Sequence, residues 1–395
     1  MTHLRSLVGK GALVLTIGGM MTGALAACGS SSGGGSSAST GPIMLGESNA
    51  LTGDLAASCT PTNSGFLAWV KSVNAAGGVH GRKIDVTVLD DAGDPATAVG
   101  NVRQFKSDGV TAVVAGCGST TAGAMGPALN SDKIPYLFPD ASVPALASPV
   151  LPYVFNLLPL YNNEMAGITT AAMTKYGAGS NYFQSLEIPG TNVISAAIEA
   201  ATKAAGGTFL GTELLPAGPP NVTPYVTKVA QLKPDYLSMI NDVTDGNRIV
   251  AAMAAQGALP KHILAFGGFE STQYSQGLPE SAQKITLIGS PMAPVGSPQT
   301  KQCETVLTKY KVAINGQAIV GCAQGQAVVA ALKAANGNYT SANILKALNS
   351  MQNVKIGDEV NPLSFSPTDH VGVHQEFVIT LSNGVFSVAG TYADQ

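Results

Sequence analysis

The 395-residue sequence predicts an α/β protein built as two doubly wound parallel-sheet lobes with a cleft between them. Three observations carry this. Short β-branched runs alternate with helical segments through short connections, the pattern of parallel strands covered on both faces. The same plan then begins again near Asn163. The chain is also long enough to build two separate cores.

The first unit opens with a strand at Ile43–Glu47 and the loop Ser48–Gly53. Phe66, Trp69, Val70 and Val73 recur at i, i+3, i+4, i+7, so Trp69 belongs to a helix face in the core. Asn74–Gly78 stops that helix, and Ile84–Leu89 alternates as a strand. Asp90, Asp91 and Asp94 crowd the next turn. Asp94-Pro95 reads as an N-cap with proline at the first helical position rather than a cation site. Val99, Val102 and Phe105 mark the helix that follows.

The stretch Val110–Gly123 (V-T-A-V-V-A-G-C-G-S-T-T-A-G) is central. Val110, Val113 and Val114 suit a buried strand that breaks at Gly116-Cys117-Gly118. Ser119, Thr120 and Thr121 come next, where a helix N-cap belongs. A strand end that offers free N–H groups and hydroxyls to a helix start suits a small anion such as a carboxylate. A further strand at Ile134–Phe138 ends in Pro139-Asp140-Ala141-Ser142. In such sheets ligands sit beyond the carboxyl ends of the strands, so these loops should share one rim.

In the second unit Met165 and Ile168 lie on a helix. Strands are expected at Asn181–Glu187, Thr208–Leu215, Asp235–Ile240 and Ile263–Phe266. The loops at their ends include Ile188–Asn192, Asn241–Gly246 and Gly267–Glu270. Tyr161, beside the junction of the units, would either line the cleft floor or pack under it. His370 and His374 share a Val- and Gly-containing extended segment, which would hold their rings roughly 13 Å apart. A metal site there is rejected, and no cofactor is expected.

Arg5 and Lys10 precede the apolar run Gly11–Met21, which is short for a membrane span. Leu25-Ala26-Ala27-Cys28 resembles a bacterial lipobox, so residues 1–28 are a leader and Cys28 the lipidated mature N-terminus. Residues 29–42 are a Gly/Ser tether. The expected location is extracytoplasmic, anchored by lipid to the outer face of the cell membrane. Cys59, Cys117, Cys303 and Cys322 remain, an even count that favours two disulfides with three possible connectivities. Cys303 and Cys322 lie close in sequence on either side of a helical segment, which leaves Cys59 with Cys117.

Charged residues are 11% of the chain and aromatics 6%, with a formal net charge of −3. No basic stripe appears, so nucleic acid is not an expected partner. An enzyme is not expected either. There is no zinc-protease or phosphate-loop motif, and the single G-x-S-x-G match (Gly29, Ser31, Gly33) lies in the tether with no strand before it.

The segment Asn74-Ala-Ala-Gly-Gly-Val-His-Gly-Arg-Lys-Ile84 is similar to the N-A-A-G-G-V-N-G-R-K-I segment of type I periplasmic solute-binding proteins, the Leu/Ile/Val-binding-protein family of ABC importers. Leu51-Thr-Gly53 matches that family's first-loop L-T-G, and Asp90-Asp-Ala-Gly-Asp-Pro95 its D-D-x-x-D-P. The order of elements agrees from about Ile43 to Tyr392, with the N-terminal half the closer match. The resemblance implies a three-crossover hinge near Leu158–Asn162, Gly289–Ala293 and Pro367–Val371. One lobe would comprise residues 43–158 and 292–368, the other 159–291 and 369–395. The last residues read as a closing hairpin turning at Asn383-Gly384.

The resemblance also implies a function and a site. A monomeric lipoprotein would capture a small polar ligand, an amino acid of branched-chain type or a related carboxylate or amide, and deliver it to an ABC permease. A ligand-sensing protein that presents its closed form to a receptor is the alternative. The ligand carboxylate would meet Gly118, Ser119 and Thr120, and its ammonium group Asp140, Ala141 and Ser142. The second lobe would contribute Thr191, Asn241, Asp242 and Glu270. This chain departs from the family by lacking the second-lobe tyrosines and by placing Asp140 where a small residue is usual.

Overall fold

The computed structural model describes residues 41–393, apart from residues 189, 217 and 271 and the side chains of 272 and 273. The expected leader, the expected lipidation site Cys28 and Pro189 of the expected second-lobe loop lie outside the described residues. Among the described residues no helix is long and apolar enough to cross a membrane.

The first sheet is formed by β1 (Ile43–Asn49), β2 (Ile84–Asp90), β3 (Ala112–Val114), β4 (Tyr136–Leu137) and β5 (Val154–Phe155). Its helices are α1 (Ala56–Ala75), α2 (Pro95–Asp108) and α3 (Ser119–Asp132). The chain then passes into α4 (Tyr161–Tyr176), β6 (Ser180–Leu186), α5 (Thr191–Ala204), β7 (Thr208–Leu215), α6 (Thr223–Leu232), β8 (Tyr236–Ile240) and α7 (Val243–Ala255). The second lobe continues through β9 (His262–Phe266), α8 (Thr272–Gly277), α9 (Glu280–Gln283) and β10 (Thr286–Ser290). After α10 (Lys301–Lys309), α11 (Gly316–Ala334) and α12 (Ser341–Asn349), the chain ends in the hairpin β11 (Gln375–Ser382) and β12 (Val385–Ala393).

The strand order is β2-β1-β3-β4-β5 in one sheet and β12-β11-β10-β9-β8-β6-β7 in the other. Without the hairpin, the second sheet repeats the connectivity of the first, and all of these pairings are parallel. The two-lobed α/β class expected from the sequence is therefore the one adopted. In this order the switch points lie between β1 and β3 and between β6 and β8, where the following loops diverge to opposite faces and leave room for a ligand. β11 pairs antiparallel with β10, and the turn at Asn383-Gly384 has φ of 50° and 76°, the left-handed pair of a tight hairpin.

The chain passes between lobes at three places. Asn156 bridges Val371 in parallel, and Met292 bridges Val360 antiparallel. His370 is buried beside them, with Nδ1 2.9 Å from the Val154 carbonyl oxygen and Nε2 3.1 Å from Asn349 Oδ1. Among the described residues no group of three His, Cys, Asp or Glu side chains is placed to hold a metal ion.

Several local expectations change. β3 is only three residues, because the Val110 N–H still bonds back to Phe105 O at the end of α2 and the strand begins beyond Thr111. β4 has two residues, since Phe138 turns to a φ of 63° and leaves the strand. Cys303 and Cys322 do not flank one helix; each sits within its own, α10 and α11. The disulfides pair Cys59 with Cys117 and Cys303 with Cys322, at Cα separations of 5.3 Å and 5.9 Å.

The first-lobe core depends on the crossing of α1 and α11. Trp69 packs at the edge of this core, over Gly325. A Cβ at Gly321 would stand 1.9 Å from the Thr62 carbonyl oxygen, and one at Gly65 2.1 Å from that of Ala318. Both obstacles are backbone, so relief requires the helices to part. Gly321→Ala is expected to lose about 1–3 kcal/mol of stability, read as a lower thermal midpoint; an unchanged midpoint would show that the helices do not approach so closely.

Candidate functional site

The loop from β3 into α3 has a backbone that few residue types tolerate. Ala115, Gly116 and Gly118 have φ of 52°, 80° and 124°. A Cβ at Gly116 would lie 2.4 Å from the Ser48 carbonyl oxygen. Phe138, at the end of the neighbouring strand, also lies in the left-handed region. Two adjacent strand ends are thus held in sparsely populated conformations, as happens where surrounding structure over-determines a site.

That surrounding structure can be named. Gln324 of α11 donates its Nε2 to the carbonyls of Phe138 (2.8 Å) and Gly116 (3.3 Å). Asp140 N–H donates to Gly116 O, and Gly118 N–H donates to Asp140 O. The Cys59–Cys117 disulfide ties the same loop to α1. From below, the buried Glu47 carboxylate accepts from Asn49 and Asn63 side chains, each at 2.9 Å, and from the Gly116 N–H. Burial raises its pKa from 4.5 to about 7 against those hydrogen bonds.

The helix start differs in one respect from the sequence expectation. Gly118, not a hydroxyl residue, is the N-cap of α3, because only glycine suits its φ of 124°. Ser119 is therefore the first helical residue, and Thr121 Oγ1 donates back to Gly118 O at 3.0 Å. The first-turn N–H groups precede any helical acceptor and remain available. Thr120 is exposed, so its backbone rather than its hydroxyl belongs to the site.

Ser119 is met by Tyr161 at the start of α4. The Tyr161 phenol stands near the Ser119 hydroxyl, and the Tyr161 N–H donates to Ser142 O at 2.9 Å. The Tyr161 ring meets Phe266 edge to face, with centroids 5.5 Å apart. Burial, followed by the nearby carboxyls of Asp140 and Glu164, holds its phenol pKa above the ordinary value, so it stays protonated. Tyr161 thus stands at the junction of the two α/β units, between Ser119 and Phe266. A tyrosine at a helix start has no sequence signature that would have decided this. Ala141 and Ser142 are buried beside it.

Three carboxyls surround this floor. Asp140 keeps some exposed surface, but burial of its carboxyl raises the pKa from 3.8 to about 6. Glu164, 2% exposed, accepts from Gly267 N–H at 2.7 Å, and burial lifts it to about 8. Glu270 is also raised to about 8 by burial.

The remaining second-lobe residues separate. Asn241, 4% exposed, has neither amide atom paired among the described residues. Asn241 follows the end of β8, and the parallel neighbour β9 ends at Phe266, just before Gly267. Asp242 is exposed and caps α7 by accepting from Thr244 N–H at 2.8 Å, which occupies it structurally. The Thr191 hydroxyl is spent on Ile188 N–H and carbonyl in its own turn. At the mouth, a Cβ on Gly190 would stand 3.0 Å from Pro144 Cδ, so the lobes touch there.

A family model described as "Periplasmic binding protein" matches residues 42–385. Leu/Ile/Val-binding protein homolog 3 of Brucella melitensis biotype 1 is 33% identical over 122 residues, 30% of this chain and 32% of that protein. The matched stretch thus spans about a third of that relative's length. A solved ABC transporter substrate binding protein from Aeropyrum pernix superposes with a TM-score of 0.80 at 19% identity, covering 90% of this chain and 96% of that one. A branched-chain amino acid transporter substrate binding protein from Streptococcus pneumoniae, solved with isoleucine, gives 0.72 at 18% identity, covering 90% and 100%. At these identities the two structures share the fold.

Glu47 gives the site a pH signature. Between about pH 4.5 and 7 the folded protein keeps a proton that the unfolded chain has released, so stability falls as pH rises through that window. In thermal melts from about pH 5 to 8, Glu47→Gln should lose less stability than the natural protein. Equal losses would remove Glu47 as a buried titrating group.

Proposed function

Since the chain belongs to the periplasmic binding protein family, we propose that it is an extracytoplasmic lipoprotein that captures a small polar ligand between two lobes and passes it to an ABC permease. The lobes are taken as residues 43–158 with 292–368 and 159–291 with 369–395. The observation that carries the reading is the convergence at the switch points. The free first-turn N–H groups of α3, the Ser119–Tyr161 hydroxyl pair and the unpaired Asn241 amide all stand at strand ends where such sheets bind ligands.

Closure over the ligand would exclude water, so the buried hydrogen bonds set specificity. The ligand carboxylate docks at Gly118, Ser119 and the Thr120 backbone. Asp140, Ala141 and Ser142 face its other end from the same lobe, and Asn241 and Glu270 meet it from the second lobe. Thr191 and Asp242 serve their own turns and shape the rim. The ligand leaves unchanged, since binding and release need no reacting group. The relatives named above, one a Leu/Ile/Val-binding protein homolog and one solved with isoleucine, support an amino acid as the ligand class.

Two outcomes test this. In a thermal-shift screen of amino acids, amides and aromatic acids, a bound compound raises the midpoint, and Ser119→Ala should then cost about 1.5–3 kcal/mol of its affinity; undiminished affinity would move the carboxylate elsewhere. Cys28→Ala should release the protein from the membrane fraction, and persistent attachment would refute the lipid anchor.

A further inference from the structure

The charge around the cleft floor is one-sided. Asp140, Glu164 and Glu270 stand about the Tyr161–Phe266 contact and the Gly267 turn, where Gly267 N–H donates to Glu164 and Glu270 N–H donates to Gly267 O. Among the described residues none has a basic partner. Among the described residues every lysine is exposed. Arg103 is exposed, Arg82 is bound to the Gly41 and Pro42 carbonyls, and Arg248 to Asp245 and the Pro219 carbonyl. A further buried carboxyl, Glu47, lies at the base of the loop that leads into α3.

A buried carboxylate with one or two hydrogen bonds still has acceptor positions to fill. An ionised one away from water is costly unless paired. A lone aromatic or aliphatic acid would satisfy α3 and bring a further negative charge to a floor that has no cation. An aliphatic amino acid would answer one carboxyl. The independent sign that this region awaits a polar ligand is Asn241, 4% exposed with neither amide atom paired among the described residues, just past β8, whose neighbour β9 leads into the Gly267 that donates to Glu164.

We propose that the cleft selects an amino acid whose side chain ends in a second protonated nitrogen, its carboxylate at α3 and its two cationic groups among Asp140, Glu164 and Glu270. This rests on the capture role proposed above and names the ligand class for it. Asp140 is the discriminating group, because it stands where a small residue would leave the first lobe neutral.

The test is calorimetric titration of the full chain in detergent with L-lysine, L-ornithine and L-arginine, against L-leucine, L-isoleucine, L-glutamate and benzoate. The basic amino acids should bind at least tenfold more tightly than any of the others. Asp140→Asn should lower L-lysine affinity by tenfold or more, with Asp140→Glu recovering part of it. Tighter binding of leucine, isoleucine or benzoate would overturn the ligand class while leaving capture intact. Binding of none of the seven would count against both. An Asp140→Asn protein that binds L-lysine as the natural protein does would overturn the role of Asp140.

Discussion

The loop between β3 and α3 is held in a conformation that its own residues would not choose. Ala115, Gly116 and Gly118 all take positive φ, and the chain pays for this through contacts from elsewhere: Glu47 and Gly116, Gln324 and two carbonyls, and the Cys59–Cys117 bond to α1. The close crossing of α1 and α11 places Gln324 and Cys59 where they can act. Without these braces the first-turn N–H groups of α3 would have no fixed direction. Pre-organisation of this kind lowers the cost of ordering a site when a ligand arrives.

The same bracing explains the electrostatics. A carboxylate at Glu47 is useful because it accepts three hydrogen bonds at the base of the loop, but burial makes its ionised form expensive. Asp140, Glu164 and Glu270 are likewise raised by burial, and Glu164 accepts from the Gly267 N–H. A site assembled from raised carboxyls and free backbone N–H groups can hold a dipolar ligand at both ends. Tyr161 joins the two ends, since its hydroxyl stands near Ser119 and its ring meets Phe266.

Much of the fold was legible in the sequence. Apolar alternation and glycine turns mark β1, β2 and β6–β9 closely, and the family resemblance at Asn74–Ile84 agrees with the family match over residues 42–385. Strand lengths in the first lobe were not legible. β4 and β5 have two residues each, because positive φ at Phe138 ends one and a short pairing defines the other. The loops of the candidate site could be found because switch-point geometry names them. Their side chains could not be resolved in the same way. Asp242 and Thr191 look identical in sequence to ligand contacts, yet each completes a local turn. Gln324 braces a loop 208 residues away, a relation that no local pattern contains. Glu47 lies in an ordinary strand, where only the packing of Asn63 and Gly116 reveals its use.

The central claim is that one ligand is held at once by the start of α3 and by the second-lobe strand ends. The most direct measurement is an amide-resolved NMR titration of the full chain with the best ligand from the screen. The account predicts that the Ser119 and Thr120 backbone amides and the Asn241 side-chain amide shift together, with a single shared midpoint. Shifts confined to one lobe, or two different midpoints, would contradict it.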